Sequence, residues 1–348
     1  MRKKNILNRH FLELTGCIHN HTKYSYDSKI SLRKIFKAAR INRLDFITIN
    51  DHNTLEAKND AEFLEEKDLL VIIGAEVNDQ QKNNHYLVFN TDRIITDKRA
   101  EEYVVSYRKE GAIGFAAHPC EKRACSRFRK YIWTDHDVNG FDGLEIWNYL
   151  SEWVARINPK VNGLFMVLFP NLFISKPNRD NLDFWDELNT RGLRKSAIGS
   201  VDCHQETYRK FGIKFKFLSH KAVYKTIRTN VLIDEKLSIN QNTILEALKQ
   251  GKSYIVNYIM GIPYNFYAGI KSAETSAIFG EEITWQNDLK FYYRLPKMAK
   301  VKLFHNGKFV NSHFNDKGFF KLESKGFYRL EITRFGRGWI YTNNIYVI

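Results

Sequence analysis

The chain has 348 residues, a length that predicts one large domain with a smaller one. Of these residues 43% are hydrophobic and 14% aromatic, a composition that excludes a disordered protein. Its 54 lysines and arginines exceed its 39 acidic residues, giving a formal net charge of +15 that suits a nucleic acid or another phosphate-bearing partner. The basic residues are spread along the whole chain, however, so a nucleic-acid partner is compatible with the sequence but is not favoured.

Cysteine usage and the apolar segments predict a soluble, cytoplasmic protein without a membrane partner. The four cysteines form no CxxC pair, and so few in a long chain do not make a disulfide framework. The basic N-terminal segment lacks the apolar stretch of a signal peptide. The most apolar run, residues 163–174, contains Pro170 and is too short to span a bilayer.

Short β-branched or apolar segments alternate with helical segments through about residue 255. This alternation predicts parallel strands joined by right-handed crossovers, and about seven repeats favour a closed or distorted β/α barrel over an open sheet. The predicted strands are residues 16–21, 45–51, 69–76, 85–90, 112–118, 143–148 and 196–202. The predicted helices are residues 31–41, 54–67, 98–111, 181–192 and 243–251.

The sequence changes character near residue 258, where short alternating segments separated by turn residues begin. Residues 300–310, with Asn306 and Gly307 at their centre, are typical of a hairpin with a type I′ turn. We therefore predict two domains, a barrel over residues 1–257 and a small all-β sandwich over residues 258–348.

Residues that can bind metals fall at the ends of the predicted strands. His19 and His21 are two apart at the end of the first strand, so both imidazoles can reach one cation. The carboxyl ends of barrel strands converge on one mouth, and so dense a set of charges and imidazoles would be costly to bury without a cation. Glu145 is expected to orient a ligand rather than to bind the metal. The other members of the set are Asp27, Asp51, His52, Glu76, His85, His118, Asp202 and His204.

Other histidines and one cysteine are read as ordinary residues. The side chain of Cys203 should point away from those of its neighbours Asp202 and His204, because side chains alternate along a strand. The isolated histidines, expected at the surface or in ordinary hydrogen bonds, are His10, His136, His220, His305 and His313.

Five ordered motifs resemble those of the PHP (polymerase and histidinol phosphatase) domain. They are HNHTKYSYD, ITINDHNTL, GAEV, AAHP and GSVDCH, and the resemblance covers roughly residues 12–257. Asn50 stands where a threonine is common, which leaves the neighbouring His52 intact. The segments IFGEEI, GFYRLEI and RGWIYTNNIYV further resemble the carbaryl-hydrolase-like branch, in which a small immunoglobulin-like domain follows the PHP domain.

The resemblance implies a distorted (β/α)7 barrel that holds two to three divalent ions, which the mixed nitrogen and oxygen ligands suggest to be Zn, Mn or Fe. Carried over by motif, Glu76 would bridge the first and second metals, and Glu76, His52 and Asp202 would be the catalytic residues. The implied ligands are His19, His21, Glu76 and Asp202 for the first metal, Glu76, His85 and His118 for the second, and Asp27, His52 and His204 for the third.

These residues predict a metal-dependent hydrolase that uses a metal-bridging hydroxide as its nucleophile. A small phosphorylated substrate is favoured, because the family most often cleaves phosphoesters and the chain is basic. Arg123 and Arg127, in the basic segment 121–130, are the predicted phosphate contacts.

Two alternatives stay open. One is hydrolysis of an amide, ester or carbamate on the same metals, as the carbaryl-hydrolase resemblance suggests. The other is a catalytically inactive protein that binds nucleic acid or carbohydrate. Missing ligands would favour the second alternative, and the sequence contains every expected ligand.

Overall fold

The structure is a computed structural model that describes residues 1–205, 207–210 and 213–348, with the backbone alone for residues 207–210 and 213–216. The helices are α1 (Leu32–Ile41), α2 (Ala61–Leu64), α3 (Ala100–Lys109), α4 (Tyr149–Val154), α5 (Gly163–Leu168), α6 (Arg179–Thr190), α7 (His220–Val223) and α8 (Gln241–Lys249). The 3₁₀ turns are Glu56–Asn59, Pro170–Phe173 and Tyr258–Met260. The strands are β1 (Arg2–Ile6), β2 (Arg9–Asn20), β3 (Phe46–His52), β4 (Leu70–Val77), β5 (Tyr86–Phe89), β6 (Ile113–Ala116), β7 (Gly143–Asn148), β8 (Ser196–Cys203), β9 (Thr207–Lys210), β10 (Ile213–Lys216), β11 (Ile227–Asp234), β12 (Ser253–Asn257), β13 (Tyr267–Lys271), β14 (Ser276–Ala277), β15 (Glu282–Ile283), β16 (Lys290–His305), β17 (Lys308–Lys321), β18 (Gly326–Arg334), β19 (Arg337–Thr342) and β20 (Ile345–Val347).

Seven strands close a barrel in the order β2, β3, β4, β5, β6, β7 and β8, and β8 pairs again with β2. Each overlaps one predicted segment, so the predicted α/β barrel is confirmed. Every residue of β3 and of β8 is buried, as expected for strands covered on both faces. Helix α1 packs onto the barrel through Leu32, Ile35, Phe36 and Ala39, whose spacing of three and four residues places them on one helix face.

The expectation of parallel strands is wrong for β5, which runs antiparallel to both β4 and β6. Only residues 78–85 connect β4 to β5. A crossover between parallel strands needs a dozen or more residues, so this short connection turns the chain straight back. The first end of β5 consequently lies at the same mouth as the last end of β4, which brings His85 there.

The predicted helix over residues 54–67 is also wrong in its extent. Residues 56–59 form a 3₁₀ turn, and α2 covers only four residues. Asp60 separates the two, because its backbone is extended and its side chain accepts a hydrogen bond from Glu62 N as the cap of α2.

Additional strands lie outside the barrel and continue its hydrogen bonding. Strand β2 pairs with β11, β11 with β12, and β12 with β19 near the C-terminus. The predicted hairpin forms between β16 and β17, and Asn306 and Gly307 have the positive φ angles of a type I′ turn. One apolar core contains residues of these late strands together with Phe11, Tyr254 and Val256. The boundary at residues 257/258 and the immunoglobulin-like character of the second domain stay predictions.

A buried ion network connects α6 of the barrel to β18. The guanidinium of Arg329, which is 0% exposed, donates to both carboxylate oxygens of Asp186 and to Glu331 Oε1. It also lies over the rings of Trp185 and Phe304. Within the described chain, no helix is long and apolar enough to cross a membrane.

Candidate metal centre

The buried carboxylate of Glu76, near the end of β4, lies at the centre of a histidine cluster at the barrel mouth. Five ring nitrogens lie close to it, those of His19, His21, His52, His85 and His118. Its Oε2 atom faces the first three, at 3.1, 3.3 and 3.3 Å, and its Oε1 atom faces the last two, at 2.6 and 3.2 Å. Because its two oxygens face different histidines, Glu76 has the geometry of a carboxylate shared between two cations.

Two further carboxylates extend the cluster on either side of Glu76. Asp202 Oδ1, at the end of β8, lies 3.5 Å from His19 Nε2 and 3.3 Å from His21 Nε2. Asp27 Oδ2, in the loop after β2, lies 3.0 Å from both His52 Nε2 and His204 Nε2. The two carboxylates share His204, whose Nδ1 lies 3.5 Å from Asp202 Oδ1 while its Nε2 faces Asp27.

The donor atoms fall into three overlapping groups, each with all its atoms within 4.8 Å of one another. The groups are His19, His21, Glu76 and Asp202; His21, Asp27, His52 and His204; and His52, Glu76 and His85. The first contains the ligands implied for one metal, and the second contains those implied for another with His21 added. His118 lies outside the groups but contacts Glu76 directly. The assignment of individual residues to individual metals stays a prediction.

Ring nitrogens without a hydrogen bond test whether a cation fits this cluster. Among the described residues, the buried atoms His19 Nε2, His21 Nε2 and His52 Nδ1 lie 3.1–3.3 Å from Glu76 Oε2 but form no hydrogen bond. A buried polar atom without a hydrogen bond costs about 1–3 kcal/mol, and three such atoms around one carboxylate are a large penalty. Divalent cations held by the overlapping donor groups would satisfy all three, and imidazole with carboxylate is a donor set that suits Zn, Mn or Fe. The residues present therefore fit a divalent metal site.

The electrostatic environment keeps the carboxylates of the cluster ionised. Burial by itself raises the pKa of Glu76, but His19, His52 and His85 together lower it well below its usual value. Burial likewise opposes ionisation of Asp27, whose pKa is nevertheless lowered by hydrogen bonds from His204 and His52. Ionised oxygens are the form that binds a cation, so both carboxylates can act as ligands at neutral pH.

Left-handed backbone turns aim three of the candidate ligands into the mouth. His19, His118 and Asp202 have φ angles of 69°, 30° and 49°. Positive φ is uncommon for residues other than glycine, and it concentrates at functional sites. The pairing of β2 with β8 also shifts register between Ile18 and Asn20, so His19 lies in a bulge. His19 and His21 therefore converge through a bulge rather than through the simple alternation that the sequence suggested.

Glu145, in β7, supports the ligands from behind, as expected. Its Oε1 atom lies 2.8 Å from His19 Nδ1, and its Oε2 atom accepts hydrogen bonds from the backbone N of His118 at 3.0 Å and from Asn148 Nδ2 at 2.9 Å. Burial raises the pKa of Glu145, but the nearby His19 lowers it below its usual value, so the carboxylate is ionised. An ionised carboxylate can only accept a hydrogen bond, so His19 Nδ1 carries the proton and donates it to Glu145. That tautomer leaves His19 Nε2 free to bind a cation.

Three residues with roles at the site were not predicted. Asn148 Nδ2 lies 3.4 Å from Asp202 Oδ2, and Ser25 Oγ donates to Asp27 Oδ1 at 2.8 Å. The ring of Tyr26 stacks on His52 with centroids 4.7 Å apart. A signal existed for each, since Ser25 and Tyr26 lie within the first PHP-like motif and Asn148 ends a barrel strand.

Asp51, the last residue but one of β3, lies outside the three donor groups. It accepts hydrogen bonds from the backbone N and the hydroxyl of Thr22, at 2.5 and 2.6 Å. It thereby fixes the turn that follows His21. This role depends on a loop contact that strand periodicity does not predict.

A cavity of about 870 Å³ lies in front of the cluster. Its lining includes Arg123, Arg127 and Arg129 together with apolar side chains of α4 and α5. The guanidinium of Arg123 is held by the carboxylate of Glu121 and by backbone carbonyls. Arg127 is exposed and forms no ion pair with any residue that the structure describes. Of the two predicted phosphate contacts, Arg127 is therefore the one with an uncommitted charge.

Within the described ranges the five isolated histidines belong to none of the donor groups. His220 nevertheless departs from the expectation of a surface or hydrogen-bonded residue. It is 1% exposed, its ring packs against Tyr224, and neither ring nitrogen has a hydrogen-bond partner among the described residues. The thiol of Cys203 contacts Leu218 O at 3.3 Å, and Cys203 belongs to none of the donor groups.

Comparison with known proteins finds similarity to the PHP domain. A sequence profile of this domain matches residues 18–111. An uncharacterized protein of Methanocaldococcus jannaschii is 29% identical over 142 residues, which cover 38% of this chain and 80% of that protein.

Two solved structures are more distant. A two-domain protein of Bacteroides vulgatus, containing a predicted PHP-like metal-dependent phosphoesterase, is 13% identical with a TM-score of 0.48, over 99% of this chain and 97% of that one. A proposed metal-dependent phosphoesterase of Bifidobacterium adolescentis is 14% identical with a TM-score of 0.36, over 67% of this chain and 95% of that one.

The profile match contains six of the clustered residues, while His118, Asp202 and His204 follow it in the chain. The six are His19, His21, Asp27, His52, Glu76 and His85. Residues 18–111, which supply most of the cluster, are thus similar to the PHP domain.

Proposed function

We propose that the protein is a metal-dependent phosphoesterase that acts on a small phosphorylated substrate at the barrel mouth. The observation that carries the proposal is Glu76, whose two oxygens face different sets of imidazoles, three of them with ring nitrogens that form no hydrogen bond. When bound, two or three divalent ions of Zn, Mn or Fe would polarise the scissile bond and lower the pKa of a bound water. The similarity of residues 18–111 to the PHP domain supports the same class of enzyme.

In this proposal the protein side chains hold the metal ions, orient the metal ligands and exclude water from part of the cavity. Glu76, His52 and His21 each contribute to two of the donor groups, and Asp202 contributes to one. We assign the catalytic role to Glu76, His52 and Asp202. Glu145 orients His19 and the backbone at His118. The apolar side chains of α4 and α5 exclude water from part of the cavity, which strengthens electrostatic interactions inside it.

Among the described residues, two arginines that line the cavity, Arg127 and Arg129, form no ion pair, and Arg129 donates a hydrogen bond to Gln81 O. Arg127 is exposed and lines the cavity, whereas the charge of Arg123 is balanced by Glu121. A charge-assisted hydrogen bond from a guanidinium to phosphate contributes about 1.5–3 kcal/mol. We therefore assign phosphate recognition to Arg127, with Arg123 holding the shape of the loop.

The decisive experiment measures metal content and hydrolysis together. Protein purified without chelators and reloaded with Mn or Zn is tested against phosphoesters beside aryl esters and carbamates. We expect two to three bound ions and phosphoester hydrolysis. Glu76→Gln should lower both metal content and turnover while the circular dichroism spectrum is retained, because the substitution removes the shared charge and keeps the shape.

Glu187→Gln is the matched control, since Glu187 lies on α6 with a side chain that is 65% exposed. It should change neither metal content nor turnover. Wild-type protein that binds no metal and gains nothing from Mn or Zn would refute the proposal, and so would a Glu76→Gln variant that keeps its full metal content.

The alternative of amide, ester or carbamate hydrolysis has one structural feature in its favour. The apolar wall of the cavity would accept a neutral aryl group as readily as the apolar part of a phosphoester. The substrate panel separates the two, because only a phosphoester needs Arg127. Turnover of carbamates or esters together with none of phosphoesters would establish the alternative.

A further inference from the structure

The lining of the cavity in front of the cluster combines two kinds of residue. The metal-binding side chains and the arginine loop supply the charged part. An apolar part comes from two short helices that the sequence did not predict. Its members are Leu150, Trp153 and Val154 of α4 and Leu164, Val167 and Leu168 of α5.

The same apolar surface continues out of the cavity. Leu164 and Leu168 line the cavity and are also 76% and 62% exposed, so they belong to the inner wall and to the outer surface at once. Val161, Phe165 and Phe169 continue the exposed apolar surface along the same segment. Contiguous exposed apolar surface of this kind is unusual in a soluble protein unless it contacts something. Within the part of the chain that the structure describes, the apolar path is therefore open at its outer end.

From this arrangement we propose that the natural substrate is an amphipathic phosphoester, whose phosphate lies at the cluster and whose alkyl chain runs along α4 and α5 toward the outside. The inference rests on the proposed function and names the substrate class for it. A sugar phosphate or another compact polar ester would leave the wall in contact with water and its own hydroxyls without partners. The open outer end favours a chain over a compact aromatic group, which a closed apolar pocket would fit better.

The magnitude follows from the burial of methylene groups. Each methylene that leaves water is worth about fourfold in binding. An octyl chain has six more methylenes than an ethyl group, and three of them packed against the wall would give about 60-fold tighter binding. The chain-length dependence of affinity is thus the quantity that the inference predicts.

The experiment measures binding of ethylphosphonate and octylphosphonate to the metal-loaded protein by isothermal titration calorimetry. These compounds are not hydrolysed, so the result does not depend on turnover. We expect octylphosphonate to bind about 60-fold more tightly to the wild type. Leu164→Asn and Val167→Asn should reduce the ratio by fourfold or more, since each places a polar amide in the wall.

Phe314→Asn is the control, because Phe314 lies in β17 and is 70% exposed but is not among the described residues that line the cavity. It should leave the ratio unchanged. Leu164 is exposed enough that its replacement leaves no hole in the core, so the variant folds. A wild-type ratio below about fourfold, or a ratio that Leu164→Asn does not change, would overturn the inference.

Hydrolysis distinguishes the source of the substrate and separates this inference from the proposed function. One arm offers monomeric octyl phosphoesters, and the other offers phosphatidate in phosphatidylcholine vesicles. Hydrolysis in the first arm alone supports a free amphiphile, and hydrolysis in the second supports a membrane lipid. Hydrolysis of the ethyl ester without preference for either long-chain substrate overturns the inference and keeps the phosphoesterase. Octylphosphonate binding without any phosphoester hydrolysis supports the amphipathic ligand and refutes the phosphoesterase.

Discussion

Replacing Glu145 by glutamine tests how the centre is supported without removing a candidate ligand. The carboxylate accepts three hydrogen bonds, from His19 Nδ1 at 2.8 Å, from His118 N at 3.0 Å and from Asn148 Nδ2 at 2.9 Å. Glutamine has one acceptor oxygen and one amide group that can only donate. If its oxygen faces His19, its amide faces two donors, and if it is flipped, the amide faces His19.

The magnitude follows from this mismatch. At least one buried donor loses its partner, which costs about 1–3 kcal/mol, and His19 loses the negative charge that holds its Nδ1 proton. Because this support acts on two candidate ligands, we expect Glu145→Gln to weaken metal binding about 10–100-fold. At about 1.4 kcal/mol for each factor of ten, this equals about 1.4–2.7 kcal/mol.

The assay is competition for Zn or Mn with a chromogenic chelator, run on wild type, Glu145→Gln and the exposed control Glu187→Gln. Circular dichroism establishes that each protein is folded before the titration. An affinity change below threefold for Glu145→Gln would refute the reasoning, because it would mean that His19 keeps its tautomer and orientation without the carboxylate.

The remaining predictions concern substrate binding and stability. Arg127→Glu should raise the KM for a phosphoester about tenfold to a hundredfold at unchanged metal content, as steady-state kinetics and metal analysis would measure; equal kinetics for both proteins would contradict the assignment of Arg127. Arg329→Met should lower the free energy of unfolding, measured in urea, by about 3–5 kcal/mol, because it leaves two buried carboxylates unpaired. Adding Asp186→Asn and Glu331→Gln should restore much of the lost stability. An Arg329→Met variant as stable as the wild type would argue against the network. Burial lowers the pKa of Lys195 from 10.5 to about 8. Between pH 8 and pH 10.5 the unfolded chain therefore binds a proton that the folded chain does not. The free energy of unfolding should rise with pH over that range, by at most about 3 kcal/mol. Lys195→Met should remove that rise from the pH dependence of urea unfolding, and identical profiles for the two proteins would show that Lys195 is not its source.

The strands of the barrel were predictable because their information is local. Each is a short run of β-branched and apolar residues between turn or helix signals, and each of the seven predicted segments overlaps a strand. The metal-capable residues were predictable for a related reason. A barrel brings its strand ends to one mouth, so a histidine or carboxylate at the end of a strand is expected there whatever the details of packing.

The direction of β5 and the bulge at His19 show where local information ends. The periodicity of a strand is the same in both directions, so it does not predict whether β5 runs parallel or antiparallel to β4. The short connection between the two strands does predict the antiparallel direction. The register shift at His19 depends on how β2 meets β8, which lies about 180 residues further along the chain. Strand periodicity, a local property, predicts that His19 and His21 lie close together, as they do. The structure brings them together through a bulge and not through the alternation of side chains along a strand.

By itself, the sequence determined an α/β barrel with a histidine and carboxylate cluster at its mouth, because residue type and spacing along the chain suffice for both. Tertiary structure alone decided that Asn148 stands behind the ligands, that Arg123 is neutralised by Glu121, and that part of the apolar run at 163–174 lines the cavity. From the sequence, this run is predicted only to be too short to span a membrane. Hydrophobicity indicates that a segment tends to leave water, but it does not indicate which surface the segment will pack against. Such contacts join residues far apart in the chain, and only the packed fold brings them together.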